Sequence, residues 1–199
     1  MIDAEAVELG IRGERVPVGS HVAYMWENQE EFLEAIGVLE AGLRSKDHLV
    51  VFGHDEANAR VLDALVEGGA DVERLREERR LDVLGPGSSG EETLAGIGRS
   101  FEAAVEGGAP MIRLLGNIGW GRDAWPDTKE LMRFEARVTE AAASFPCLVV
   151  CMYDVRSLPA DVLLHGAFQT HPLTFCGNLV RENPFHCSLN EFLERVDAL

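Results

Sequence analysis

The chain of 199 residues is long enough for one domain with a substantial core, and 46% hydrophobic with 26% charged residues is ordinary globular composition, not that of a disordered chain. Only 18 Lys and Arg stand against 34 Asp and Glu, a formal net charge of -16. Such a surface repels phosphate backbones and anionic membrane faces, so direct nucleic-acid binding and membrane attachment are not expected, whereas a basic protein partner is compatible with it.

No run approaches the ~18 apolar residues of a membrane helix, and residues 1–19 lack a basic-then-apolar leader pattern. The expectation is a cytoplasmic chain whose four cysteines, Cys147, Cys151, Cys176 and Cys187, are reduced thiols.

In chain order, residues 1–17 read as a loosely attached N-terminal arm and 18–199 as a single domain. Residues 21–26 form a first apolar strand. A helix follows, with Phe32, Ile36, Leu39 and Leu43 at spacings of three and four. Residues 48–53 are a buried strand, and Asp55 is placed to cap a helix carrying Val61, Leu62 and Leu65 that Gly68 and Gly69 stop. A short helix at 72–78 and a strand at 81–84 lead to the clearest loop of the chain, Gly85-Pro86-Gly87-Ser88-Ser89-Gly90.

A helix over 92–106 precedes a strand at 110–115. That strand opens into a glycine-rich loop, Gly116-Asn117-Ile118-Gly119-Trp120-Gly121. A long helix begins at Pro126 or Asp127 and runs to about 144, with Leu131, Phe134, Val138 and Ala142 inward. Residues 147–153 are the most apolar strand and end at Asp154. A short helix at 159–168, a strand at 173–176 and an amphipathic helix at 189–196 close the chain. Alternating strands and helices, with several strands apolar on both faces, predict a three-layer α/β fold: a mostly parallel sheet flanked by helices, Rossmann-like or RecA-like.

In such open sheets ligands gather beyond the carboxyl ends of the strands. Those ends carry Trp26-Glu27-Asn28, His54-Asp55-Glu56, residues 116–120 and Tyr153-Asp154. A phosphate loop needs glycines for backbone amides to wrap the phosphates, a Lys, and a Ser or Thr for magnesium. After the first strand stand Glu27-Asn28-Gln29-Glu30-Glu31 instead, so ATP hydrolysis of the usual kind is not expected. No dinucleotide fingerprint and no Gly-x-Ser-x-Gly elbow occurs.

Cys147 and Cys151 lie on one strand face and are not a CxxC pair; a buried free cysteine commonly serves as a small hydrophobe. His21, His171 and His186 join a cysteine as metal ligands only if the fold brings them together, and a structural hydrogen bond is the plainer role for each. Cys151, His171 and Asp154 are the residue types of a thiol triad, but their spacing proves nothing. Glu135 and Arg137 read by position as a solvated helix face. Trp120 and Trp125 either line a pocket for a small apolar ligand or pack their loop onto the sheet.

Four stretches together resemble a known family. They are His21-Val22-Ala23-Tyr24-Met25-Trp26-Glu27, the helix with Phe134-Glu135-Ala136-Arg137, Cys151-Met152-Tyr153-Asp154, and Thr170-His171-Pro172 followed by Glu182-Asn183-Pro184-Phe185. In order and spacing they resemble the MEDS family, the sensory domain named for methanogen, methylotroph and dichloromethane-responsive regulators. The resemblance implies a RecA-like fold stripped of its phosphate loop, and a non-catalytic sensor of small hydrocarbon derivatives. Its His and Cys positions fall on His21, Cys151 and His171, with Glu135, Tyr153 and Asp154 beside them. One departure is Asn117, which stands near Trp120 where family members often carry Glu.

The resulting expectation is a stand-alone signal-transduction domain for transcription regulation. Its small-molecule ligand is held by His21, Trp26, Glu27, Asn117, Trp120, Glu135, Cys151, Tyr153, Asp154 and His171. The partner is a separate signalling protein: a kinase, an anti-sigma-type ATPase or a transcription regulator. A homo-oligomer is compatible with this. No cofactor is expected, with a metal or haem open. The alternatives are a metal- or haem-binding sensor, with His21, Cys151 and His171 as candidate ligands, and a non-hydrolysing nucleotide binder. For signalling, the loops 85–90 and 116–121 are expected to move.

Overall fold

The computed structural model describes residues 6–118, 127–176 and 179–198. A small hairpin at the start joins β1 (Ala6–Glu8) to β2 (Arg15–Pro17). The remaining strands are β3 (Ser20–Trp26), β4 (His48–Phe52), β5 (Leu81–Leu84), β6 (Ile112–Ile118), β7 (Cys147–Asp154), β8 (Leu173–Cys176) and β9 (Leu179–Glu182). These seven form the central sheet in the order β5-β4-β6-β7-β3-β8-β9. All neighbours pair in parallel except β9, which returns antiparallel on β8.

Helices cover both faces, as the doubly apolar strands require. One face carries α1 (Gln29–Ser45), α2 (Asp55–Glu67) and α3 (Val72–Glu77). The other carries α4 (Gly90–Glu106), α5 (Thr128–Ala142), a π-helical segment (Val162–Phe168) and α6 (Leu189–Ala198). Two cores result. Phe32, Leu39, Val61 and Leu65 pack on Val22, Tyr24, Leu148 and Val150. Phe101, Leu131, Phe134 and Val138 pack on Ala23, Val149, Cys151 and Tyr153. Alternation along each strand thus assigns neighbouring residues to opposite layers. Among the described residues, no helix is long and apolar enough to cross a membrane.

Several sequence-based boundaries are corrected. Residues 6–17 are not loose: Leu9, Ile11 and Val16 are buried against α1. The backbones of Gly10 and Gly37 touch so closely that a Cβ on Gly37 would lie 2.3 Å from the Gly10 carbonyl oxygen. Asp55 does not cap α2 but begins it; His54 occupies the cap position, and its side chain makes no capping hydrogen bond to the helix. Gly116 and Asn117 belong to β6 rather than to a loop, because β7 pairs with them and Gly116 also pairs with β4. Trp120, Trp125 and the rest of that segment lie outside the described residues, and with them the pocket-lining role and the movement expected there.

The loop before α4 is anchored rather than open. Ser89 caps the helix, and its Oγ accepts from Glu92 N at 3.1 Å. Ser88 N donates to the Glu92 carboxylate and Gly90 N to Glu130 of α5. The last strand, β9, carries no apolar alternation that would have announced it; pairing with β8 creates it.

Candidate functional site

Beneath α5, four side chains from distant parts of the chain meet. His21 comes from the start of β3, Cys151 from the middle of β7, Glu135 from the inward face of α5, and His171 from the segment just ahead of β8. One donor atom from each lies within 4.8 Å of every other, and all four residues are buried. Parallel pairing puts them there: Ala23 stands beside Cys151 and His21 beside Val149, so odd-numbered residues of both strands face α5. Glu135 follows from helix spacing, since it lies four residues after Leu131 and three before Val138, both buried. The solvated-face reading of Glu135 is therefore corrected, while Arg137 is exposed as expected.

The hydrogen bonds around the cluster determine which histidine nitrogens carry protons. Thr139 Oγ1 donates to the Thr170 carbonyl at 2.7 Å, so it must accept from His21 Nδ1, 2.9 Å away. His171 Nδ1 lies 2.9 Å from the Ala167 carbonyl, which can only accept. Both rings are thus protonated on Nδ1, and both present the bare Nε2 to the centre. The Cys151 thiol donates to His21 Nε2 at 3.2 Å, and Glu135 Oε2 lies 3.5 Å from the same nitrogen. His171 Nε2 is also 3.5 Å from Glu135 Oε2. Tyr153 closes one side, its ring edge-on to His171 with centroids 5.6 Å apart.

Burial dominates the electrostatics. Desolvation pushes the His21 pKa down to about 3, with His186 adding to the shift, and holds His171 well below its usual range. It raises the pKa of Glu135, Cys151 and Tyr153. His171, Cys151 and Tyr153 draw the Glu135 pKa partly back. Even so, these approaches are long: neither Glu135 oxygen, the Tyr153 hydroxyl nor His171 Nε2 completes a well-formed hydrogen bond. The Glu135 carboxyl and His171 Nε2, 3.5 Å apart, are thus buried polar atoms without a close partner.

A narrow cavity of about 30 Å³ adjoins the cluster. Its lining is apolar, with Phe52, Leu94, Phe101, Leu114 and Phe134 around the Cys151 side chain. The model for MEDS, described as MEthanogen/methylotroph, DcmR Sensory domain, matches residues 20–172, a span that contains all four cluster residues. The chain belongs to the MEDS family. No curated protein matches the sequence. Among solved structures, a KaiC-like protein from the hyperthermophilic archaeon Pyrococcus horikoshii OT3 is similar, with a TM-score of 0.63 over 86% of this chain and 79% of that one. At 16% identity the likeness shows the fold alone, a KaiC-like, RecA-like layering.

The junction between β3 and α1, where a phosphate loop would stand, is short and acidic. Only residues 27 and 28 separate β3 from α1, and the first turn of α1 carries Glu30 and Glu31. Between β3 and α1 the described residues offer no backbone cradle for phosphates, and the carboxylates oppose them. The cavity beside the cluster, about 30 Å³, is far smaller than a porphyrin, whereas the four donors suit a metal ion by type and lie within 4.8 Å of one another.

The remaining predicted site residues are separated from the cluster. Trp26 faces the α1 side, edge-on to Phe32 and covered by Arg60, because even-numbered β3 residues point away from α5. Glu27 is exposed, opposite Arg156. Asp154 caps a turn, accepting from Arg156 N at 3.0 Å, so it is no partner for a Cys151–His171 thiol arrangement. Asn117 is buried but lies near Gly53 on the α2 side. His186 stays at the surface. The site is not at the carboxyl edge of the sheet but inside the layer between sheet and α5. Thr139, missed in the sequence, had one legible signal: it lies a helical turn after Glu135.

Proposed function

We propose that this MEDS domain is a non-catalytic sensory module that reads a small, hydrocarbon-derived ligand at the His21, Glu135, Cys151 and His171 cluster and relays its state to a separate regulator. The carrying observation is the juxtaposition of an apolar cavity with a fully buried set of polar groups that lack partners. Apolar walls with a few convergent polar atoms are the usual composition of a small-molecule site. Membership of a sensory-domain family supports the same reading.

The cavity lies between α4, α5 and the sheet, so a ligand larger than the space must part these helices. A ligand that prefers the parted arrangement shifts the population toward it, and a partner on the α4–α5 surface reads the change. A kinase, an anti-sigma-type ATPase or a transcription regulator would serve as that partner. No step here requires bond making, and the Cys151 thiol, its pKa raised, is poorly suited to act as a nucleophile.

The test is thermal unfolding and hydrogen exchange of the full chain with methanol, methylamine and dichloromethane, each alone. Concentration-dependent stabilisation with altered exchange in α4 and α5 is expected from at least one of them. No stabilisation by any, or stabilisation that Phe134→Ala and Cys151→Ser leave unchanged, would sink the reading. ATP is expected to give no stabilisation.

A further inference from the structure

We propose that His21 Nε2, Glu135 Oε2, Cys151 Sγ and His171 Nε2 hold one divalent transition-metal ion of the zinc class. The spacing is close to that of a coordination shell. Donors on a tetrahedral ion at Zn–N and Zn–O of about 2.0–2.1 Å and Zn–S of about 2.3 Å stand about 3.3–3.6 Å apart. The two histidine-to-Glu135 separations, 3.5 Å each, fall in that range; His21 Nε2 and Cys151 Sγ, at 3.2 Å, stand somewhat closer, and all four donors lie within 4.8 Å of one another, so a small adjustment of the side chains closes the shell. Direct hydrogen bonds between nitrogen and carboxylate would draw closer than this.

The tautomers agree with that geometry. Each imidazole has its Nδ1–H committed outward, to Thr139 or to the Ala167 carbonyl, which leaves the Nε2 lone pair for a cation. This outward hydrogen bond is the arrangement that orients metal-bound histidines. Charge agrees as well: a carboxylate and a thiolate with two neutral imidazoles balance a dication, so the buried acceptors cease to lack a partner. Mixed nitrogen, oxygen and sulfur donors favour a zinc-like ion over magnesium or calcium. Since Cys151 also forms part of the apolar cavity wall, a molecule entering there meets a metal-bound sulfur. The proposal rests on the cluster being the sensing centre only for what the ion would do in signalling.

The experiment strips the full chain with a chelator and titrates it with Zn²⁺ by calorimetry and with Co²⁺ by absorption. One ion per chain is expected, with the intense visible bands of four-coordinate cobalt and a thiolate-to-cobalt charge-transfer band. Cys151→Ser should abolish that band and weaken Zn²⁺ by about tenfold or more, and Thr139→Val, a positioning change, should weaken Zn²⁺ by about 10–100-fold with the band retained. Cys147→Ser should alter neither. X-ray absorption of the zinc-loaded wild type, expected to show one sulfur among nitrogen and oxygen neighbours, decides the matter should Cys151→Ser fail to fold. Absence of stoichiometric binding, a wild-type cobalt spectrum without the charge-transfer band, or a band that survives Cys151→Ser overturns the metal site. Small-molecule stabilisation of the stripped protein without zinc binding would overturn the metal alone. Zinc binding as described, without any small-molecule response, would uphold the metal and overturn the sensory reading.

Discussion

Thr139 Oγ1 stands 2.9 Å from His21 Nδ1 while giving its own hydrogen to the Thr170 carbonyl at 2.7 Å. A single hydroxyl therefore links α5, β3 and the segment ahead of His171, and forces the imidazole to turn its unprotonated nitrogen inward. Replacing Thr139 by Val keeps the shape and removes both bonds. The metal-free protein is expected to lose about 1–3 kcal/mol, because a buried N–H and a carbonyl are left unpaired; denaturant unfolding measures this.

The buried groups give the metal-free protein opposing pH dependences. His21 has its pKa lowered from 6.5 to about 3. It binds fewer protons folded than unfolded, so the stability it permits is present above pH 6.5 and is lost as pH falls toward 3. Glu135 has its pKa raised above 4.5, so it lowers stability as pH rises through its folded value. Urea unfolding across pH should show stability falling on both sides. His21→Gln should flatten the acid limb and Glu135→Gln the basic one.

Arg113 of β6 is buried, and its Nε donates to Asp47 at 2.6 Å while Nη1 donates to the Glu8 carbonyl at 2.7 Å. It fastens the N-terminal hairpin to the sheet. Arg113→Ala strands the Asp47 carboxylate, and a cost of about 3–5 kcal/mol is expected. Calorimetric unfolding checks it.

Two glycines on helices should respond in opposite directions. Gly37→Ala drives a Cβ into the Gly10 carbonyl, so the hairpin must shift, at a cost of about 1–3 kcal/mol. Faster trypsin cleavage at Arg12 and Arg15 would report the displaced hairpin. Gly98 on α4 faces open space, and a methyl group added there would have no neighbour within 4 Å. Gly98→Ala is expected to raise stability by about 0.5–1 kcal/mol through helix propensity, read as a higher midpoint of thermal unfolding.

The residue pattern by itself determined the layered α/β architecture. Strands such as His48–Phe52 and Cys147–Asp154 are apolar on both faces, and only helices on both sides satisfy them. It also determined that the first strand leads into carboxylates rather than a phosphate loop, and the stripe of Leu131, Phe134, Val138 and Ala142 announced the inward face of α5. What only the tertiary structure decided was the meeting of His21, Glu135, Cys151 and His171. Local periodicity says which face a residue takes, but not which strands become neighbours or in what register. Those depend on contacts between residues far apart in the chain, such as Ala23 beside Cys151. The same register places Trp26 and Asn117 in the opposite layer, although Trp26 shares a strand with His21, because one step along a strand reverses the direction of the side chain.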